Sequence, residues 1–258
     1  MGTKGARMAR KIKINNISDI KSLVSLYGPD CAKLYQSGFN MLHRDAKAAV
    51  RTCEAHVMYC ICRNFGYKNI LEIGTGTGFS SLVFAKAIID QEVFGSVDTI
   101  DINPESPNIF NNNFSPLVEA LPEMESMITF YNKDSVDIIP FLDKEYDLAF
   151  VDGCHDYDCV KSDYEAVTKK VKDGGCIIFH DVVKTPDDKK GIWDVIAEIK
   201  QSNKKVIHLN EKIFDFFNYQ EDVSDAKRMG NKWKTKEYLH WALKTKHNPK
   251  ELLAITFK

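Results

Sequence analysis

Asp152, His155, His180 and Asp181 have the types and spacing to do chemistry. Asp152 directly follows the apolar run YDLAFV, and Asp181 follows CIIFH, which ends in His180. Short runs of this composition read as buried strands, so both acids stand at strand ends. If the two strands are neighbours, about 4.8 Å apart, their carboxylates converge. Two carboxylates with an adjacent imidazole are a candidate divalent-cation site, with Asp152, His180 and Asp181 as ligands. The plainer reading is that the acids bind water or cap the segments that follow. Imidazole also takes up a proton near neutral pH, which makes His155 the candidate general base and His180 the alternative. A structural loop histidine is the competing reading of His155. Tyr157 either closes a pocket or packs at the start of its helix.

A second set lies upstream, in the stretch NILEIGTGTGFSS from Asn69 to Ser81. Asn69 to Ile73 reads as a buried strand, and Phe79 opens an apolar helix. Between them Gly74, Gly76 and Gly78 allow positive φ and leave no Cβ between the backbone and a ligand. The helix N-terminus adds unpaired N–H donors and partial positive charge. A dinucleotide fingerprint, GxGxxG, would place its third glycine at position 79, where Phe79 stands. A glycine turn with no ligand is the bland alternative.

The GxGxG pattern preceded by Glu72 resembles the first motif of class I S-adenosylmethionine-dependent methyltransferases. The resemblance implies that Glu72, Gly74, Thr75, Gly76, Gly78 and Ser80 line the cofactor. It implies that Asp101, ending the strand SVDTIDI, accepts from the ribose hydroxyls with Ile102 beside it. By the same resemblance Asp134 and Ser135 sit by the adenine, although Asp134 reads equally well as a helix cap, and Asp152 sits on the same rim. FVDGCHDY and GGCIIFHD look like stretches of metal-dependent small-molecule O-methyltransferases, whose acids at these strand ends hold magnesium beside the methyl donor. The match departs at Val182, where the catechol-type pattern has Asn, and at His180, where antibiotic-tailoring relatives often have an acid. Imidazole is a softer ligand than carboxylate and suits manganese, iron or zinc better than magnesium; the expected cation is magnesium or manganese.

Positioning these residues calls for a Rossmann-like α/β fold. The expected sheet has seven mostly parallel strands and an antiparallel final hairpin. Residues 1–66 read as a tag-like segment and a helical cap. The cap holds a first helix capped by Ser18 or Asp19 and stopped at Gly28 and Pro29, a stretch around Cys31 to Tyr35, and a helix over Asp45 to Asn64. Residues 67–222 read as the cofactor domain. Within it a helix is expected at Phe114 to Leu121, and strands at Met127 to Asn132, Cys176 to His180, Lys205 to Leu209 and Ile213 to Tyr219. A helix is expected over Asp188 to Ser202. Residues 223–258 read as a basic amphipathic helical tail, docked on the domain or a second subunit, with a substrate-binding or RNA-binding tail as the minor alternative.

The chain has 258 residues and a net charge of -1, which gives no global drive toward nucleic acid or anionic membrane. No apolar run approaches the roughly 20 residues that span a bilayer. Its seven cysteines lack CxxC spacing and read as reduced thiols, so a cytoplasmic setting is expected. The resulting expectation is an O-methyltransferase acting on a hydroxyl of a small molecule of sugar, phenolic or natural-product type, with a divalent cation. Nucleic acid and membrane are not expected partners, and the terminal helices offer a homo-oligomer contact. The alternatives are a non-catalytic cofactor-binding scaffold or partner subunit, or a methyltransferase acting on nitrogen or a macromolecule. The DPPY-type amine-methylating signature is absent after YDLAFV.

Overall fold

The computed structural model describes residues 11–36, 50, 52–109, 122–182, 190–202, 204–210 and 251–258. Their centre is a seven-stranded sheet in the order β3-β2-β1-β4-β5-β7-β6. Strands β1 (Asn69–Ile73), β2 (Ser96–Asp101), β3 (Ile128–Asn132), β4 (Tyr146–Val151) and β5 (Val171–His180) run parallel. β7 (Glu251–Phe257) pairs antiparallel with both β5 and β6 (Val206–Asn210). The expected Rossmann-like, mostly parallel architecture with an antiparallel end is therefore present.

The central strands are apolar on both faces, as a sheet covered by helices on each side requires. Ile70, Leu148, Phe150 and Ile178 belong to the layer shared with the cap helices and α3 (Phe79–Ile89). Leu71, Ala149, Ile177 and Phe179 belong to the layer under α6 (Tyr157–Lys170) and α7 (Ile192–Gln201). The cap consists of α1 (Ile17–Gln36) and α2 (Thr52–Phe65), with α2 packed on both α1 and α3. Short helices α4 (Pro122–Met127) and α5 (Ser135–Ile138) flank β3. Among the described residues, no helix is long and apolar enough to cross a membrane.

The expected elements differ from this arrangement at several places. The first helix does not stop at Gly28 and Pro29 but runs through them to Gln36. Ile20, Leu23 and Cys31 on both sides of the break are fully buried, and that packing outweighs the lost hydrogen bond of an interior proline. α2 starts at Thr52, Met127 ends a helix instead of opening β3, and α7 starts at Ile192. β5 begins at Val171, five residues early, because the chain returns to the sheet beside Tyr146 before a register shift.

The largest correction concerns the end of the chain. Glu251–Phe257 is a strand inserted between β5 and β6, not part of a helical tail. Residues 223–258 are therefore not an appendage at their last segment. The segment ELLAITF carries the sign of this: Leu253, Ala254 and Ile255 are all buried, as in a strand covered on both faces. The expected helix Phe114 to Leu121, the expected strand Ile213 to Tyr219 and the basic residues Lys227 to Lys250 lie outside the described residues, as do residues 1–10.

Candidate active site

The glycine loop joins β1 to α3 at the carboxyl end of the sheet, where ligands of open α/β folds bind. Gly74, Gly76 and Gly78 all have positive φ, at 91°, 50° and 80°. At Gly74 the need for glycine is also steric, since a Cβ there would lie 2.1 Å from the Asp152 carbonyl oxygen. A Cβ on Gly76 would meet nothing within 4 Å, so the loop is open on that side. The loop N–H of Gly76 donates to Asp101 Oδ2 at 2.9 Å, and Asn103 N–H donates to Oδ1 at 2.8 Å. Asp101 is thereby held at the mouth of the loop, next to Ile102, which is 75% exposed.

Several expected cofactor residues support the loop from below. Glu72 is fully buried and accepts from the Ser81 hydroxyl of α3. Burial pushes its carboxyl up to about 7, against the hydroxyls of Ser80, Ser81 and Thr99. The Thr75 hydroxyl pairs with that of Thr99 at 2.7 Å, and Ser80 is buried at the start of α3. Asp134 caps α5, accepting from Val136 N–H at 3.1 Å, while Ser135 donates to the buried Asp163 of α6. The cap reading of Asp134 is thus realised. Asp163 was not read from the sequence.

The second set gathers at the ends of β4 and β5, which pair as expected. His180 Nδ1 lies 2.9 Å from Asp152 Oδ1. His155 Nε2 lies 4.0 Å from Asp152 Oδ1 and 3.9 Å from Asp181 Oδ2, ionic contacts longer than a hydrogen bond. Asp181 adopts a φ of 48°, a left-handed backbone that Asp tolerates better than most residues. The carbonyl of His155 accepts from Ile192 N–H at 3.2 Å, pinning its loop to the start of α7. Tyr157 donates to Glu198 Oε1 at 2.6 Å, so it packs against α7.

Charge follows this geometry. Burial would raise Asp152, but His155 and His180 hold it below the ordinary carboxylate range. Burial would lower His180, but the bonded carboxylates of Asp152 and Glu54 hold it well above the ordinary imidazole value. The Asp152 carboxylate, with help from Asp181, raises His155 against burial and the charge on His180. Glu54, in the first turn of α2, is the missed member: its Oε2 lies 3.1 Å from His180 Nε2. Its signal was a single acid directly before the apolar run AHVMYCIC, and nothing local says what it faces.

The residues fit the two implied ligands differently. Three positive-φ glycines, an open face at Gly76 and a carboxylate at the loop mouth suit an adenosyl cofactor. The expected metal set does not fit in this arrangement. His180 turns both ring nitrogens to carboxylates, which leaves no lone pair for a cation. Among the described residues, no three His, Cys, Asp or Glu side chains are arranged to hold a metal ion.

Residues 71–182 match the family model of a methyltransferase domain. That interval contains the glycine loop, Asp101, Asp152 and Asp181. Among solved structures, an O-methyltransferase from Bacillus cereus is 15% identical with a TM-score of 0.58, covering 88% of this chain and 90% of that one. A Klebsiella pneumoniae protein assigned as an O-methyltransferase is 14% identical with a TM-score of 0.56, covering 89% of each chain. A Staphylococcus aureus protein assigned as a caffeoyl-CoA O-methyltransferase is 22% identical with a TM-score of 0.51, covering 75% of this chain and 94% of that one. No curated protein matches the chain. The resemblance to class I methyltransferases is borne out by the domain match and by the shared fold.

Proposed function

We propose that the chain transfers a methyl group from S-adenosylmethionine to a hydroxyl of a small molecule, with His155 as the base. The observation that carries this is the direct contact of the two sites. Gly74 of the cofactor loop packs on the backbone of Asp152, whose side chain faces His155. Support also comes from the Bacillus cereus structure, which was solved with S-adenosylhomocysteine.

Gly74, Gly76, Gly78 and Asp101 would hold the cofactor. When bound, it supplies an electrophilic methyl carbon on a sulfonium. His155 is half exposed at the rim, so its Nε2 can reach an acceptor hydroxyl and take its proton. Asp152 and Asp181 orient the ring and stabilise the imidazolium that results. The acceptor is held in line with the methyl group by the surrounding loops, and orientation supplies much of the rate. A divalent cation held by Asp152 and Asp181 without His180 would be a second form of this reading, and it would favour the deprotonated form of the acceptor hydroxyl. Manganese titration of the purified protein and activity in excess chelator test that form.

The main test is calorimetry with S-adenosylhomocysteine, where micromolar affinity is expected. Asp101→Ala should weaken it by about 1–3 kcal/mol through loss of the ribose acceptor. His155→Gln should leave this binding intact and lower methyl transfer to screened phenols and sugars roughly 10²–10⁴-fold. Binding of NAD with no response to S-adenosylhomocysteine would refute the reading.

A further inference from the structure

The line of charged groups at the strand ends continues into the cap. Glu54 is 2% exposed on α2, and His180 is 6% exposed at the end of β5. Glu54 Oε2 stands 3.1 Å from His180 Nε2, His180 Nδ1 stands 2.9 Å from Asp152 Oδ1, and Asp152 faces His155. Four side chains from the cap, the ends of two strands and a loop therefore form one series. An imidazole between two carboxylates donates from both nitrogens, which fixes its ring orientation. A buried carboxylate costs several kcal/mol unless it is paired, so packing the cap alone gives no reason for an acid at position 54. The Phe150 ring lies edge-on to His180 at 6.0 Å and closes one side of the imidazole.

We propose that Glu54 is a positioning residue: it holds His180, which holds Asp152, which in turn sets the orientation of His155. Its effect on turnover rests on the methyl-transfer reading above, whereas its effect on side-chain positions does not. The cap is then part of the reaction site and not only a cover on the sheet.

Two substitutions separate positioning from simple charge pairing. Glu54→Gln keeps the length, and its amide oxygen still accepts from His180 Nε2. Glu54→Asp keeps the charge but draws the carboxylate back by one methylene. Crystal structures of both and of the wild type, each with S-adenosylhomocysteine, should show Asp152 and His155 unmoved in Glu54→Gln and displaced in Glu54→Asp. With a hydroxylated acceptor found by screening, kcat should fall 10–100-fold in Glu54→Asp at little-changed KM and stay within a few-fold in Glu54→Gln. S-adenosylhomocysteine affinity should change less than twofold in both. Asp152 and His155 unmoved in Glu54→Asp, or the reverse order of kcat effects, would overturn the proposal. A lowered melting temperature with kcat per folded molecule unchanged in both variants would also overturn it, marking a mere anchor for the cap. If the wild type binds no S-adenosylhomocysteine, methyl transfer falls, and structures without ligand still decide whether Glu54 positions Asp152.

Discussion

At the scale of single residues, the site keeps its acids in opposed states. Asp152 is held charged by two imidazoles, whereas burial pushes Glu72 up to about 7 from 4.5. A carboxyl whose folded value lies above its unfolded value binds more protons when folded. Its stabilising share is complete below about 4.5 and is lost as pH rises through about 7. The shift corresponds to something on the order of 3 kcal/mol of cost for the ionised form. Glu72→Gln, neutral at every pH and able to accept from Ser81, should melt near the wild type at pH 5 and clearly higher at pH 8. A melting difference that does not change between those pH values would show that Glu72 titrates normally. Glu72, the glycine loop and Asp101 were legible in the sequence because their spacing is local and their roles are set by strand ends. Asp152 and Asp181 were legible for the same reason. Glu54 was not, since it meets His180 across 126 residues of chain and no local pattern encodes that contact.

At the scale of elements, local propensity placed the parallel strands well and placed the breaks badly. Strands β1, β2 and β4 carry dense β-branched and aromatic runs, and their bounds follow the sequence. In α1, Gly28 and Pro29 signal a stop that tertiary packing overrides. Gly28 sits against Val24 and His56, where a Cβ would lie 3.3 Å from Val24 and 3.9 Å from His56. The small residue thus serves the contact between α1 and α2. Pro29 is exposed and forfeits an interior helix hydrogen bond. Pro29→Ala should raise the melting temperature, with a gain of up to about 3 kcal/mol. A lower melting temperature would mean that Pro29 contributes to the packing of α1 on α2.

At the scale of the whole molecule, the last segment completes the sheet. β7 enters between β5 and β6, and His180 on β5 is registered against Leu253 on β7. The strand behind the candidate site is thus held by residues more than seventy positions further along the chain. Sequence reading missed this because the basic stretch before it suggested an amphipathic helix, and strand pairing over such a separation leaves no local trace. The consequence differs sharply from that of removing a docked tail. Ending the chain at Lys250 would remove Leu253, Ala254 and Ile255, each at most 1% exposed, together with two ladders of hydrogen bonds. Burying one Leu or Ile contributes about 1.5–3 kcal/mol, and domains are stable by only about 5–15 kcal/mol in total. The truncated chain should therefore lose cooperative unfolding and S-adenosylhomocysteine binding together, and expose the edges of β5 and β6 to aggregation. The milder Ile255→Ala should remain folded with a loss of about 2–5 kcal/mol, measured by denaturant titration. A soluble 1–250 fragment with an unchanged melting temperature would show that β7 is not part of the cooperative unit. The site at the ends of β4 and β5 would then not depend on the end of the chain.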